Sequence, residues 1–315
     1  MAIPSGIAAQ LGFKTEVTYG TAVTVDSFIP IVKETIKFDI DRIKSNAIRT
    51  GRTVRDAVDW MPGKQFAAGG ISLELDNVTM QKLFTHAFGA VVTTGSNPYT
   101  HTFTPTDMTA KGLTVQIGLP STDGTVRTKT YAGTKIKKLS ISAKAGDLAM
   151  LDLDVVAQSE VTNVGLASAS FTSGINPYTF IEGSLSIGGS SIAYCKDVKF
   201  DFENALADDR FMIGAATFLQ PLQNDLRGIT GTATLEFADL TQYTRYVAGT
   251  TAALVLAFSD GANSLTITLN VFFNGETPTL DGRDIITLPL GFEAVGTTDA
   301  AACTVAIINT DSSAA

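Results

Sequence analysis

Most of the chain alternates between apolar and polar positions. Ile71-Ser72-Leu73-Glu74-Leu75 does so, as do the segments 136–141, 151–155, 265–269 and 285–290. In an extended chain every second side chain shares a face, so each segment predicts a half-buried β-strand. Turn pairs punctuate them: Asp123-Gly124, Gly188-Gly189, Asp260-Gly261, Asn274-Gly275 and Asp281-Gly282. Two segments have helical spacing instead. In the first, Asp76 or Asn77 is expected to cap a helix running to about Phe88, with Met80, Leu83, Phe84 and Ala87 on one face and Gly89 as its stop. In the second, Asp239 is expected to cap a shorter helix with Tyr243, Tyr246 and Val247 turned inward, ended by Gly249.

The pattern occurs twice. Sliding the chain by 162 positions lays Lys37-Phe38-Asp39 on Lys199-Phe200-Asp201, Gly69 on Gly231 and Leu73-Glu74 on Leu235-Glu236. The two helical segments also coincide. A second shift, of 137 positions, lays Asp123-Gly124 on Asp260-Gly261, and Leu151 and Leu153 on Leu288 and Leu290. The change of shift predicts that the second copy lacks a stretch near Gly95 to Gly112 and carries an extra final strand, Cys303 to Ile308. A period this long means two whole domains in tandem, divided in the Gly/Ser/Ala-rich stretch Gly165 to Gly174.

The duplicated strands carry acids on one face. Lys37, Asp39 and Asp41 point one way, and Ile36, Phe38 and Ile40 the other. In the second copy Lys199, Asp201 and Glu203 oppose Val198, Phe200 and Phe202. The partner strands match, with Ser72, Glu74 and Asp76 polar in one, and Thr234 and Glu236 in the other. Each copy thus predicts a two-strand sheet with an apolar back and an acidic front. A wet sheet face explains any single strand equally well; recurrence in both copies favours a shared role.

Between the paired strands lie two loops of about 27 residues each, 42–68 and 204–230, longer than ordinary connections. The first holds Arg49, Arg52, Arg55, Lys64 and the only tryptophan, Trp60. The second holds Phe211, Met212, Ile213, Phe218 and Leu219. Exposed residues of these types are favoured anchors at interfaces.

Composition narrows the function. The chain has 315 residues, 44% hydrophobic and 17% charged, with a formal net charge of −8. It is rich enough in apolar residues to bury a core, and too acidic to grip DNA phosphates. It has no apolar run of membrane-spanning length, and its start lacks the pattern of a secretory signal. Cys195 and Cys303 are expected to be buried free thiols, as in a protein made in a reducing cytoplasm. Catalytic signatures are missing: no G-x-S-x-G, P-loop or C-x-x-C occurs. His86 lies inside the apolar helix and His101 in a Thr-rich strand without a neighbouring acid or cysteine. Asp152 and Asp154 share a strand face but fall short of a cation's ligand number, so they are expected to be solubilising acids. Asn77-Val78-Thr79 is a glycosylation sequon by letters only. No enzyme activity, cofactor or metal is expected.

The order of elements resembles the tail tube proteins of long-tailed bacteriophages. The opening from Gly6-Ile7 to Pro30, with Glu16 and Tyr19-Gly20-Thr21, is similar to that family's N-terminal arm. The K-F-D strand, the long loop, Gly69-Gly70-Ile71 and the helix follow in order. Ile187-Gly188-Gly189 and Asp197 to Asp201 resemble the opening of a second tube domain, and the stretch from Asp281 to Asp311 also fits. The resemblance implies a mainly β fold: two tandem tail-tube-like β-sandwich domains, each with one flanking α-helix and a long inter-strand loop. The expected division is an arm at 1–30, a first tube domain at 31–165, a linker at 166–175 and a second tube domain at 176–315.

By the same resemblance, inner sheets join around a lumen, usually six domains to a ring, so that three chains of this kind make a pseudo-six-fold ring. Rings stack through the loops and arms. Lys37, Asp39, Asp41, Ser72, Glu74, Lys199, Asp201, Glu203, Thr234 and Glu236 are expected to face the lumen. Arg49, Arg52, Arg55, Trp60, Lys64, Phe211, Met212, Phe218 and Leu219 are expected at contacts between subunits or rings. The implied role is structural, in a virion tail made in the host bacterial cytoplasm. DNA passes through without sequence-specific binding. The implied partners are further copies of the chain, a tape measure protein and tail terminator or tip proteins, with no membrane. The competing reading is a two-domain β binding module, such as a virion spike or a carbohydrate-binding protein.

Overall fold

The structure is a computed structural model that describes residues 5–313 apart from 110, 163, 276 and 281. Asp281, expected in a turn, therefore lies outside the described residues. The first half of the chain forms β1 (Gln10–Thr15), β2 (Ser27–Ile29), β3 (Lys33–Glu34), β4 (Lys37–Lys44), β5 (Trp60–Glu74), α1 (Gln81–Phe88), β6 (Gly89–Gly95), β7 (Tyr99–Pro105), β8 (Leu113–Pro120), β9 (Val126–Lys144), β10 (Met150–Ala157) and β11 (Ser159–Val161). The second half forms β12 (Gly183–Ile187), β13 (Ser190–Ser191), β14 (Cys195–Glu203), β15 (Leu206–Ala207), β16 (Leu222–Gln223), β17 (Gly228–Glu236), α2 (Thr241–Ala248), β18 (Ala252–Ser259), β19 (Ser264–Gly275), β20 (Thr287–Ala294), α3 (Asp299–Ala302) and β21 (Cys303–Asn309). The fold is mainly β.

One antiparallel sheet runs β4-β5-β10-β9-β14-β17-β20-β19. Its first four strands come from the first half of the chain and its last four from the second, in the same order. A second layer repeats likewise, as β1-β8-β9-β11 and as β12-β18-β19-β21. The long strands β9 and β19 serve both layers. Apolar residues fill the space between layers, including Leu11, Phe13, Leu73 and Leu153 in one half and Leu235, Leu256, Leu290 and Val305 in the other.

The pairing register carries both shifts seen in the sequence. Leu73 faces Leu151, and Leu235 faces Leu288; Gly69 faces Val155, and Gly231 faces Phe292. β4 departs from the repeat by two residues. Its register, Lys37 with Ala68, carries Ile36 opposite Gly69, whereas Phe200 lies opposite Gly231. Ile36 rather than Phe38 is therefore the counterpart of Phe200. Two is even, so the faces are kept.

Other expectations need correction. Residues 10–29, expected within an arm, include β1 and β2; β1 pairs along β8 and buries Leu11 and Phe13. The final strand has a counterpart after all in the short β11. β21 is longer because the inserted hairpin β6–β7 pairs along it. The stretch 166–175 lies against the first half, where the amide of Gln116 bonds the backbone of Ala167 and Phe171 packs edge-on to Phe28.

The first long loop is mostly a β-ladder. β4 runs to Lys44 and β5 starts at Trp60, leaving a tip of 45–59 on a projecting arm. The second loop folds down instead. Phe218 is fully buried, its ring 6.5 Å from Phe66 and 5.8 Å from Phe211. The backbone N–H of Gln65 donates to Ala216 at 2.8 Å.

α1 starts at Gln81, later than expected. Asp76 accepts the N–H groups of Val78 and Thr79 in the turn before it, while Asn77 caps nothing and donates to Asp260 of the second half. Gly89, at φ 95°, stops the helix. α2 begins after Asp239 accepts the N–H of Thr241, but Val247 is 65% exposed rather than inward. The difference is in what covers each helix. Phe202, Asn204 and the end of β21 lie over α1, and α2 has no such neighbour among the described residues.

Candidate functional site

Nine of the ten residues expected on the acidic front share one face of the eight-stranded sheet: Lys37, Asp39, Ser72, Glu74, Lys199, Asp201, Glu203, Thr234 and Glu236. Directly opposed residues in antiparallel strands point the same way. Following them across the sheet, Ser72 opposes Asp152, Asp152 opposes Ser140, Ser140 opposes Asp201, Asp201 opposes Thr230, and Thr230 opposes Glu293. The face is therefore continuous across both halves. The exception is Asp41, which sits where the register slips between Ile40 and Arg42. Alternation cannot carry its side across that bulge.

The same row adds residues that the sequence reading passed over. Asp152 and Asp154, taken as solubilising acids, stand in the middle of the face, and Asp197, Glu293 and Lys138 join them. Leu151 and Leu153 in the core were the available signal, since their neighbours must face the other way. Three of the lysines are compensated. Lys199 and Lys138 lie 3.2 and 3.4 Å from Asp201, and Lys196 lies 3.2 Å from Glu236. Partial burial raises the pKa of Asp201, but the Ser140 hydroxyl and the two lysines outweigh it and hold the carboxyl below its usual range. The charges left over are mostly negative.

The other expected residues divide by position. On the arm tip, Arg49 pairs with Asp59 at 3.2 Å, Arg52 with Asp56, and Arg55 donates to Asn46 at 3.0 Å. Trp60 is half exposed beneath Lys44. Lys64 lies 4.7 Å over the Phe211 ring at the arm's base. Met212 and Leu219 are exposed, whereas Phe218 is removed from any surface by its packing inside the chain.

Both histidines are internal. His86 bonds Thr15 at 2.8 Å, and burial with the charges of Lys111 and Lys135 pushes its pKa down to about 3. His101 bonds Thr93 and the carbonyl of Asp311. Neither cysteine forms a disulfide. No helix among the described residues is long and apolar enough to cross a membrane.

The acids alternate along one continuous sheet face and recur in both halves of the chain. The sequence family described as phage tail tube protein matches residues 6–294. The chain belongs to that family. Its role is accordingly structural, as a component of the virion tail. No curated protein matches the chain. This tail tube protein carries its sheet as two joined halves, with the acidic face shared between them.

Proposed function

We propose that the chain assembles with copies of itself into stacked rings that form the tail tube, and that its acidic sheet face lines the bore through which DNA leaves. The observation that carries this reading is the β9–β14 pairing. It joins one half to the other by seven opposed residue pairs, from Asp197 with Lys144 to Glu203 with Lys138. The two ends of the sheet are the counterparts of these strands: β4 corresponds to β14, and β19 to β9. A chain that makes this joint once inside itself is built to make it again with the next chain. Such head-to-tail joints close into a ring when the rotation permits, and closure removes both sheet edges.

The flanking residues support the same joint. Phe88 of α1 stacks on Phe202 with ring centroids 4.3 Å apart. At the ends, Phe38 takes the place of Phe202 and is only half buried, Ile40 is 42% exposed, and α2 exposes Val247 and Leu240. With two halves per chain, three chains make a pseudo-six-fold ring. The excess of carboxylates on the inner wall repels DNA, which carries a charge every ~1.7 Å, and keeps it from adhering. A tape measure protein would occupy the same bore before ejection, and terminator and tip proteins would close its ends. Negative-stain electron microscopy of the concentrated protein tests the assembly: rings or tubes are expected, and a uniformly monomeric field would refute it.

A further inference from the structure

The hairpin β6–β7 has no counterpart in the second half of the chain, and its two strands are used differently. β7 pairs along β21 and so completes a six-stranded sheet, β12-β18-β19-β21-β7-β6. β6 ends that sheet. Among the described residues no strand pairs with its other side.

The backbone of β6 is set up to take a further strand. The N–H of Thr106 donates to the carbonyl of Phe88, which fixes the phase of the ladder. Residues 90, 92 and 94 therefore exchange hydrogen bonds with β7, and the N–H and C=O groups of Val91 and Thr93 point to the open side. The strand reads Gly89-Ala90-Val91-Val92-Thr93-Thr94-Gly95, without charge, proline or break in register, and Val92 is 61% exposed. Val and Thr favour extended backbone. Other edges of the fold are protected: β2 covers β1, β13 covers part of β12, β11 is three residues long, and β4 is rich in Lys, Asp and Arg. β6 has no such protection, which makes it a template for strand addition.

The opposed rows define the strand that fits. One row, on the outward face, runs Ser184, Ala257, Thr266, Ala306, Thr102 and Val92, with no charge in it. The alternate row, on the core side, runs Val305, Phe103 and Val91, and Val305 and Phe103 are fully buried. A seventh strand continues both rows when it sets an apolar side chain beside Val91 and a small or hydroxyl-bearing one beside Val92. The outward face lies across the core from the acidic sheet. In the tube reading it is the outer wall. Antiparallel pairing of β6 with β6 of a second copy needs a twofold axis across the tube, and rings stacked head to tail have none.

We infer that β6 is the docking edge for a β-strand of a different protein on the outer wall, a strand without charge that alternates apolar residues with Ser, Thr or Ala. The outer-wall position rests on the tube reading; the pairing itself does not.

A labelled peptide copying residues 304–309, Thr-Val-Ala-Ile-Ile-Asn, has this alternation and serves as the probe on the full, unassembled chain. Binding should slow amide exchange at Val91 and Thr93. Val91→Pro removes one outward N–H and leaves the β7 ladder intact, a change that edge strands tolerate. It should weaken the peptide on the order of tenfold, with thermal unfolding as the check on folding. The inference is overturned if the peptide leaves both amides exchanging as in the free chain, or binds Val91→Pro as tightly as wild type. It is equally overturned if the chain alone dimerises with those amides already protected, because the occupant is then a second copy. Failure to form rings would remove the tube reading and the outer-wall position, and would leave the pairing in place.

Discussion

Phe88, the last residue of α1, stacks on Phe202 of β14 across the boundary between the two halves, with ring centroids 4.3 Å apart. Both rings are fully buried. They form part of a joint that includes the β9–β14 ladder, the β7–β21 ladder and the amide of Asn204 bonding the carbonyls of Ala87 and Ile136. Phe202→Ala leaves a cavity there. It is expected to cost about 3–5 kcal/mol, read by urea unfolding. Phe38→Ala, at the corresponding position of the sheet's end, is expected to cost far less in the isolated chain and to weaken ring formation instead.

Gly231 lies where a side chain has no room. A methyl group there would come within 2.2 Å of the Phe292 ring and 2.3 Å of the Lys199 carbonyl oxygen. Gly231→Ala is expected to destabilise by about 1–3 kcal/mol through overpacking. In the same strand Gly228 has nothing closer than 3.6 Å. Gly228→Ala is therefore expected to be near neutral, and thermal unfolding of the two variants measures the contrast.

Much of this was legible in the sequence. Strict alternation located the inner strands, and the two shifts matched them between the halves, because a half-buried strand must repeat every second residue. What alternation could not give was the fate of the arms and loops. β1 holds Leu11-Gly12-Phe13 and is too short to stand out. The Arg42–Ala68 stretch extends as a ladder because β4 and β5 pair beyond the body, a tertiary fact. Phe218 looked available because nothing in its neighbourhood announces Phe66 and Phe211. The exposure of Val247 follows from what is missing over α2, which no local pattern encodes.

His86 makes stability depend on pH. Burial first, then Lys111 and Lys135, lowers its folded pKa to about 3, against an ordinary histidine value of 6.5. Below pH 6.5 the unfolded chain binds a proton that the folded chain does not, so this contribution is present above 6.5 and declines as pH falls toward 3. The slope reaches about 1.4 kcal/mol per pH unit for one group. His86→Gln should flatten the fall in Tm between pH 6.5 and 4 relative to wild type. Glu16 and Asp76 act oppositely, since burial raises both carboxyls despite their hydrogen bonds; the difference between variant and wild type isolates the histidine.

The acidic face predicts a response to charge reversal. Asp39→Lys, Asp154→Lys and Glu203→Lys together are expected to change stability little, since all three side chains are exposed. They should convert tubes that let duplex DNA pass into tubes that retain it at low salt and release it as salt rises. Gel retardation across a salt series measures this.

The central claim is that the shared carboxylate face of the joined halves encloses a channel. A cryo-electron-microscopy reconstruction of the assembled protein tests it most directly. The account predicts three chains per ring, β19 of each chain beside β4 of the next, and Asp152, Asp201 and Glu293 on the inner wall. A ring with those residues on its outer surface, or with β4 and β19 apart, would contradict it.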